Sequence, residues 1–316
     1  MSAPLIREAT HAGSWYTSSG KALGKELATW LAAVPNPLPE TDTPLPIGTC
    51  RAIIAPHAGY AYSGPTAAWA YQCVDPEQIE RVFILGPSHH YYLSGCALSP
   101  CSVYATPLGN LTLDTEVMAA LEATGKFETM TKDQDEDEHS IEMHLPYVYH
   151  IMASTQRTPK IVPILIGSLT PSLETTYGAL LAPYLRSPST LFVVSSDFCH
   201  YGSRFSFTSL PAAAGTTTTH SDNMPIYKRI EALDREGMRW VEKLDHKAFT
   251  KYLKQTRNTI CGRHPIGVLL CAVQAIKEEE KGNVDPEFKF TKYAQSSHVE
   301  SPRDSSVSYA SGYLTL

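Results

Sequence analysis

Short apolar runs that alternate with helical patterns constrain the fold of this chain more than any other feature. Four runs have the length of buried strands, at residues 52–55, 82–85, 161–166 and 191–194. Helical patterns are predicted at residues 18–34, 65–73, 114–123, 140–152, 172–185, 225–244, 246–256 and 265–281. This alternation predicts an α/β fold, with a central, mostly parallel or mixed sheet flanked by helices. We expect a single domain over residues 1–316.

Four local features refine this prediction. Pro163 lies inside the third apolar run, which suggests a strand at a sheet edge or with a bulge. Residues 306–316 alternate like a final strand. Residues 35–48 form a proline-rich loop, and residues 203–222 are small and polar, as in a flexible insertion.

Charge and cysteine usage narrow the class of partner and the compartment. The formal net charge is -6, and no run is rich in Lys or Arg, so neither nucleic acid nor an anionic membrane is expected as a partner. No stretch has the length of a membrane span, and residues 1–10 lack the apolar core of a signal peptide. Seven cysteines without a C-x-x-C pair favour a reducing compartment. We expect the cytoplasm, with the nucleus as an additional location.

Histidines follow three of the predicted strands. His57 follows the first run in IIAPHAGY, and His89 and His90 follow the second in FILGPSHH. Asp197 and His200 follow the run at 191–194 in FVVSSDFCH. Ligands of open α/β sheets bind at the carboxyl ends of the strands. A lone histidine is more often a satisfied polar residue, but three such loops together favour a divalent-metal site.

Cys261 is a fourth candidate ligand. It precedes a predicted helix whose first turn contains Pro265, and Arg263 stands close by. A cysteine in such a place should have a lowered pKa and be partly thiolate. The alternative, a buried structural cysteine, suits Cys73 and Cys271 better because both lie in apolar helical runs.

The segment DEDEHSIEMHLPY, residues 135–147, is the densest polar cluster. His139 and Glu142 are three residues apart and share a helix face, whereas His144 lies off that face. The spacing matches no metalloprotease motif. His139 and Glu142 are candidates for the pocket wall or for an ordinary capping role, and the acids at 135–138 for a charge-favoured first helical turn.

The segment HAGSWY near the start of the chain combines an imidazole with two aromatic rings. Its candidate residues are His11, Trp15 and Tyr16. They serve either as an anchor that packs the N-terminal arm or as a lip that faces a substrate. The chain has no G-x-S-x-G, P-loop or G-x-G-x-x-G motif, so none of the chemistries of those motifs is indicated.

Several motifs together resemble those of the Memo family, named for a mediator of receptor-driven cell motility. They extend from residue 11 to residue 311: HAGSWY, IIAPHAGYAYSG, FILGPSHH, DEDEHSIEMHLPY, LFVVSSDFCHYG, NTICGRHPIGVLL, YAQSS and DSSVSYASG. The family is structurally similar to the class III extradiol dioxygenases, which hold non-haem Fe(II) with two histidines and a carboxylate. The resemblance implies His57 and His89 as imidazole ligands, with Cys261 in place of the carboxylate.

The same resemblance implies roles for other residues. His200 would match the catalytic base, with Asp197 as a ligand or orienting group. The remaining candidates for the pocket or the second shell are His11, Trp15, Tyr16, His90, His139, Glu142, His144, Arg263 and His264.

The thiolate shapes the functional expectation. The resemblance implies Fe(II), and because a thiolate is softer than a carboxylate, copper and zinc are alternatives and no extradiol activity is expected. The family implies a metal-binding protein of cell motility or growth signalling, redox control or metal homeostasis, with signalling proteins or phosphopeptides as partners. Two alternatives stay open: an adaptor that binds phosphotyrosine-type peptides without metal, and a non-haem iron enzyme that uses oxygen.

Overall fold

A computed structural model describes residues 4–39, 41–155, 158–210 and 224–316. Its strands are β1 (Ile6–Arg7), β2 (Cys50–Ala55), β3 (Arg81–Pro87), β4 (Cys96–Leu98), β5 (Val103–Tyr104), β6 (Leu111–Thr112), β7 (Phe127–Thr129), β8 (Lys160–Ile166), β9 (Thr190–Ser195), β10 (Asp197–Tyr201), β11 (Glu287–Gln295) and β12 (Ser306–Thr315). Its α-helices are α1 (Gly20–Ala32), α2 (Tyr60–Tyr71), α3 (Thr115–Glu122), α4 (Lys132–Asp137), α5 (His139–Glu142), α6 (Leu145–Met152), α7 (Pro171–Arg186), α8 (Ile226–Glu242), α9 (His246–Thr256) and α10 (Arg263–Glu279). Within these ranges, no helix combines the length and the apolar character that crossing a membrane requires.

The main sheet is mixed and has nine strands in the part of the chain described. Its order is β10-β12-β2-β9-β3-β8-β4-β7, and β11 pairs with β12. The four central strands β2, β9, β3 and β8 are parallel, whereas β12 runs antiparallel to β2, β10 and β11. The predicted α/β class with a mixed central sheet is therefore confirmed.

Burial of the central strands explains why their sequences are continuously apolar. Every residue of β2 and β9 is buried, although successive side chains of a strand point to opposite faces of the sheet. Both faces are therefore covered, as is typical of parallel strands. Helices α7 and α10 pack on each other and against β9, while α2 packs on β2 and β12.

The edge or bulge predicted from Pro163 is wrong. Strand β8 lies between β3 and β4, and Pro163 pairs with Ile84 in an unbroken parallel ladder. On the other side, pairing with β4 ends at Ile164 and resumes as an isolated bridge between Leu113 and Ile161. Proline lacks a backbone N–H, and it is tolerated inside this sheet because it occupies that gap.

Two predicted helix boundaries also differ from the structure. The helix predicted at 65–73 begins at Tyr60, so Pro65 lies within it; Ala61, four residues earlier, is exposed, so its unpaired carbonyl can bind water. The helix predicted at 140–152 is interrupted and forms α5 and α6, with Pro146 in the first turn of α6.

Two segments predicted to be irregular are described only in part. Residues 35–39 and 41–48 contain no α-helix or strand, only isolated bridges such as that between Leu38 and Thr43. Of the insertion predicted at 203–222, the described part includes a 3-10 turn at Ser203–Phe205. Residues 211–222 lie outside the described ranges.

Candidate metal centre

The carboxyl ends of neighbouring parallel strands bring distant parts of the chain together. Strand β9 lies between β2 and β3, and His57 and His89 follow the ends of β2 and β3. Cys261 precedes α10. One ligand atom from each of these three residues lies within 4.8 Å of the other two. The fold therefore assembles two imidazoles and one thiol from segments that are far apart in sequence.

His57 is held in one tautomer by the hydroxyl of Ser195. The Ser195 hydroxyl donates to the carbonyl of Ser140 at 2.7 Å, and Ser195 Oγ is 2.5 Å from His57 Nδ1. A hydroxyl has one hydrogen, so Nδ1 must donate to Ser195 and Nε2 keeps its lone pair. Burial, followed by neighbouring imidazoles, lowers the pKa of His57 well below its usual value. This imidazole is therefore neutral, with Nε2 available to a metal.

His89 is oriented by a buried carboxylate. Its Nδ1 is 2.9 Å from Glu138 Oε1, and its backbone N–H donates to Oε2 at 2.6 Å. Burial alone would raise the pKa of Glu138, but the hydrogen bond from His89 and the nearby imidazoles outweigh it and lower that pKa to about 2. An ionised carboxylate only accepts, so Nδ1 carries a proton and Nε2 is the ring nitrogen left for a metal. Carboxylate–histidine pairs of this kind commonly orient metal ligands.

Cys261 lies against His57 because the chain is tightly packed at the start of α10. Its Sγ is 3.2 Å from His57 Nε2 and accepts from the backbone N–H of Asp197 at 3.2 Å. A Cβ at Gly262 would lie 2.4 Å from the carbonyl oxygen of Ser195 and 2.3 Å from Ser196 Cβ. Only glycine permits this approach, which fixes the position of the sulfur.

The lowered pKa predicted for Cys261 is wrong. Burial, together with the nearby carboxyl group of Asp197, raises the pKa of this thiol well above its usual value. Arg263, on which the prediction depended, is exposed and lines a different cavity. A divalent ion would therefore have to displace the thiol proton when it binds.

The donor set fits a divalent metal ion. His57 and His89 present their Nε2 atoms, and a thiol lies beside them, a combination that suits iron, copper or zinc. A second group of His89, Glu138 and His139 is also close enough to hold an ion. The Glu138 carboxylate, however, already accepts from His89 twice and from the N–H of Ser140. The first set is therefore the better candidate.

Asp197 and His200 flank this centre on β10. Asp197 is buried and accepts the backbone N–H of His57 at 2.9 Å, which orients the loop after β2; burial raises its pKa to about 7. His200 Nδ1 lies 2.8 Å from the carbonyl of Phe198 and 3.1 Å from that of Thr259. Carbonyls only accept, so His200 Nδ1 is protonated and Nε2 has a lone pair. Burial also lowers the pKa of His200.

Aromatic rings form the wall around the imidazoles. His139 lies 4.6 Å from His89 and 4.3 Å from Trp15 between ring centroids, and His11 and His90 lie edge-on or tilted around these rings. Burial lowers the pKa of His139 to about 3, and its Nδ1 has no hydrogen-bond partner. Trp15, 36% exposed, is thus placed as a lip over the wall.

A buried ionic network supports that wall from behind. Arg7, 0% exposed, donates to Glu142 Oε2 at 2.7 Å and to Asp135 Oδ1 at 3.1 Å. Glu142 also accepts from the Tyr16 hydroxyl at 2.7 Å and lies 2.8 Å from His11 Nδ1. Tyr16 is therefore an anchor of the N-terminal segment. Of the acids at 135–138, for which a charge-favoured first turn was predicted, Asp135 lies in the first turn of α4 and is buried in this network, and Glu138 is the N-cap of α5.

Three other predicted pocket residues lie away from the donor set. His144 is buried in the core, where its Nδ1 is 2.8 Å from the hydroxyl of Tyr71. Arg263 and His264 line a separate cavity, in which His264 Nδ1 is 2.7 Å from Glu174. These two residues therefore cannot complete the imidazole pocket.

Sequence reasoning missed the partners that orient the ligands. Ser195 and Glu138 lie inside quoted motifs that assign them no such role, Arg7 lies outside every motif, and their contacts join residues up to 138 positions apart. The only available signal was a run of acids beside two histidines.

Comparisons with known proteins give a consistent result. The model of a family described as Memo-like protein matches residues 7–313. Protein MEMO1 of Danio rerio is 52% identical over 312 residues, covering 99% of this chain and 98% of that protein. Protein MEMO1 of Homo sapiens is 50% identical with the same coverage. Protein memo-1 homolog of Caenorhabditis elegans is 47% identical over 308 residues, covering 98% of this chain and 82% of that protein.

Proposed function

The chain belongs to the Memo family, and from that premise we propose that it binds a divalent metal ion through His57, His89 and Cys261. Iron is the first choice, with copper or zinc as alternatives. The observation that carries the proposal is the preset donor geometry: three ligand atoms within 4.8 Å, with Nδ1 of the two imidazoles held by Ser195 and Glu138.

The residues around the donor set have separable roles in this proposal. Asp197 orients His57 through a backbone hydrogen bond and is a positioning residue. His200, with Nδ1 committed to two carbonyls, can accept a proton at Nε2 from a bound ligand. A bound Fe(II) ion would supply Lewis-acid and redox chemistry. An oxygen-using reaction is therefore the second candidate, supported by the free Nε2 of His200.

The cellular role that we propose is in motility or growth signalling, redox control or metal homeostasis, in the cytoplasm and also the nucleus. Intracellular signalling proteins or phosphopeptides would be its partners. The phosphotyrosine adaptor has less support at this site, because Arg263 lies in another cavity. The metal-binding role is therefore the first to test.

Elemental analysis tests the metal proposal directly. Protein prepared without oxygen and reconstituted with Fe(II) should hold about one ion per chain, and Cys261→Ala and His57→Ala should hold almost none, because two ligands rarely suffice. Cys73→Ala is the matched control, since Cys73 is a buried cysteine of the core and lies outside the donor set. Full metal content in both ligand variants would contradict the proposed site.

A further inference from the structure

A second cavity, of about 380 Å³, opens where the first turns of α7 and α10 meet the end of α9. Its lining includes none of the three candidate metal ligands. The polar side chains around it are Glu174, Thr250, Lys254, Arg257, Asn258, Arg263 and His264. Its volume is typical of a pocket for a small molecule.

The cavity has an excess of unpaired positive charge. Lys254, Arg257 and Arg263 line it, and their side chains have no ion pair or hydrogen bond to any residue in the described ranges. The one carboxylate in the lining, that of Glu174, already contacts two imidazoles: its Oε2 is 2.6 Å from His246 Nε2 and its Oε1 is 2.7 Å from His264 Nδ1. Three cations therefore face a space in which no anion balances them.

A buried acceptor without a partner lies at the same cavity. Asn258 is 4% exposed, and its Nδ2 donates to Asp234 Oδ1 and to the hydroxyl of Tyr252, each at 2.8 Å. The Tyr252 hydroxyl donates in turn to the carbonyl of Leu233 at 2.8 Å, so it can accept from Asn258. Both amide hydrogens are thereby used and the amide orientation is fixed. Asn258 Oδ1 is left with no partner.

We propose that this cavity binds a small phosphate ester that also carries a hydroxyl group. The phosphoryl oxygens accept from Arg257, Arg263 and Lys254, since guanidinium groups match phosphate geometry. The ester's hydroxyl group donates to Asn258 Oδ1, which has otherwise lost its hydration without a replacement. The first turns of α7 and α10 lie at the wall and favour an anion as well.

This inference is independent of the metal proposal, although the two sites share one loop. Arg257 and Asn258 line the cavity, whereas Thr259 contacts His200 and Cys261 is a candidate ligand. A His57→Ala variant should therefore lose metal and still bind the ester.

Titration calorimetry of the full chain tests the proposal with two probes, glycerol 3-phosphate and n-propyl phosphate, at constant ionic strength. We expect glycerol 3-phosphate to bind, and n-propyl phosphate, which lacks the hydroxyl groups, to bind several-fold more weakly. Arg257→Gln and Lys254→Gln should each weaken glycerol 3-phosphate binding about tenfold, as for a lost charge-assisted hydrogen bond. Lys251→Gln is the matched control, since Lys251 is exposed on the same helix outside the cavity.

Three results would overturn the proposal: no binding of either ester at millimolar concentration, equal loss of binding in the Lys251 control, or loss of binding in His57→Ala. Equal affinity for the two esters would remove the role given to Asn258. Retained binding in His57→Ala, with failure of metal reconstitution in the wild type, would refute the metal site alone.

Discussion

Three imidazoles near the candidate metal centre are each fixed by a different acceptor. His57 donates to a serine hydroxyl, His89 to a carboxylate and His200 to two backbone carbonyls. His57 and His200, whose pKa values are lowered, therefore keep an Nε2 lone pair, and that of His57 faces Cys261 Sγ at 3.2 Å. Of these acceptors only Glu138 carries charge, so it should increase the basicity of its imidazole the most.

Glu138→Gln should weaken metal binding about tenfold to a hundredfold, the usual cost of losing an outer-shell partner of a ligand. The amide keeps the shape of the side chain but removes the negative charge that polarises His89. Competition with a chromophoric chelator measures the change. Asp137→Asn is the matched control, because Asp137 is the exposed neighbour of Glu138, and unchanged affinity in Glu138→Gln would argue against His89 as a ligand.

The sequence allowed the positions of His57 and His89 to be predicted, because the ends of apolar strands are visible as patterns. It did not reveal Glu138 or Ser195 as their partners, since those contacts depend on the packing of α5 against β3 and β9. Cys261 was predicted as a third ligand and its ligand atom lies close to those of the histidines, but the prediction of its pKa was wrong. The helix N-terminus is a local feature, whereas burial of the thiol depends on the tertiary fold.

At the scale of elements, one carboxylate joins three helices. Glu174 of α7 contacts His246 at the start of α9 and His264 at the start of α10. A hydrogen bond to Cys271, followed by that to Glu174, raises the pKa of His246 to about 10. The protonated ring therefore holds α9 against α7 and α10 across the neutral range.

This contact predicts a pH dependence of stability. A raised folded pKa means that the contribution of His246 is complete below its unfolded pKa of about 6.5 and is lost as the pH rises towards about 10. The free energy of unfolding should fall over that interval, and less steeply in His246→Gln. Urea unfolding at a series of pH values measures both slopes, with His298→Gln, an exposed histidine, as the control. Parallel slopes for wild type and His246→Gln would contradict the assignment.

Element boundaries show why pattern reading alone was insufficient for β8 and α2. Proline was taken as a signal of a sheet edge or a bulge in β8, and the helix that forms α2 was predicted to begin at Pro65. In both places the surroundings determine whether proline is tolerated. Pro163 lies in a gap between two pairings of β8, and Pro65 lies four residues after the exposed Ala61. The strong apolar runs and the capped helix α1, whose N-cap is Ser19, were predictable because their determinants are local.

For the molecule as a whole, the sheet interleaves the two halves of the chain. Strand β12 pairs with β2, and β9 lies between β2 and β3. Among the strands described, no single cut in the chain would leave every strand of the main sheet with all of its partners on the same side of the cut. The prediction of a single domain therefore leads to a test of cooperativity.

We expect urea unfolding to show one transition with the same midpoint by far-ultraviolet circular dichroism and by tryptophan fluorescence. The four tryptophans, at positions 15, 30, 69 and 240, report on the N-terminal segment, α1, α2 and α8. Coincident curves would support one cooperative unit. Two separated midpoints, one for each probe, would refute it.

The position of β12 has a consequence for synthesis on the ribosome. Strand β2, which leads into His57, is translated before its antiparallel partner β12, which follows every other strand in the described ranges. Until then the nascent chain presents an unpaired apolar edge, the kind of surface that chaperones shield. Metal insertion would thus be a late event, after translation has supplied the strand that closes the sheet beside His57.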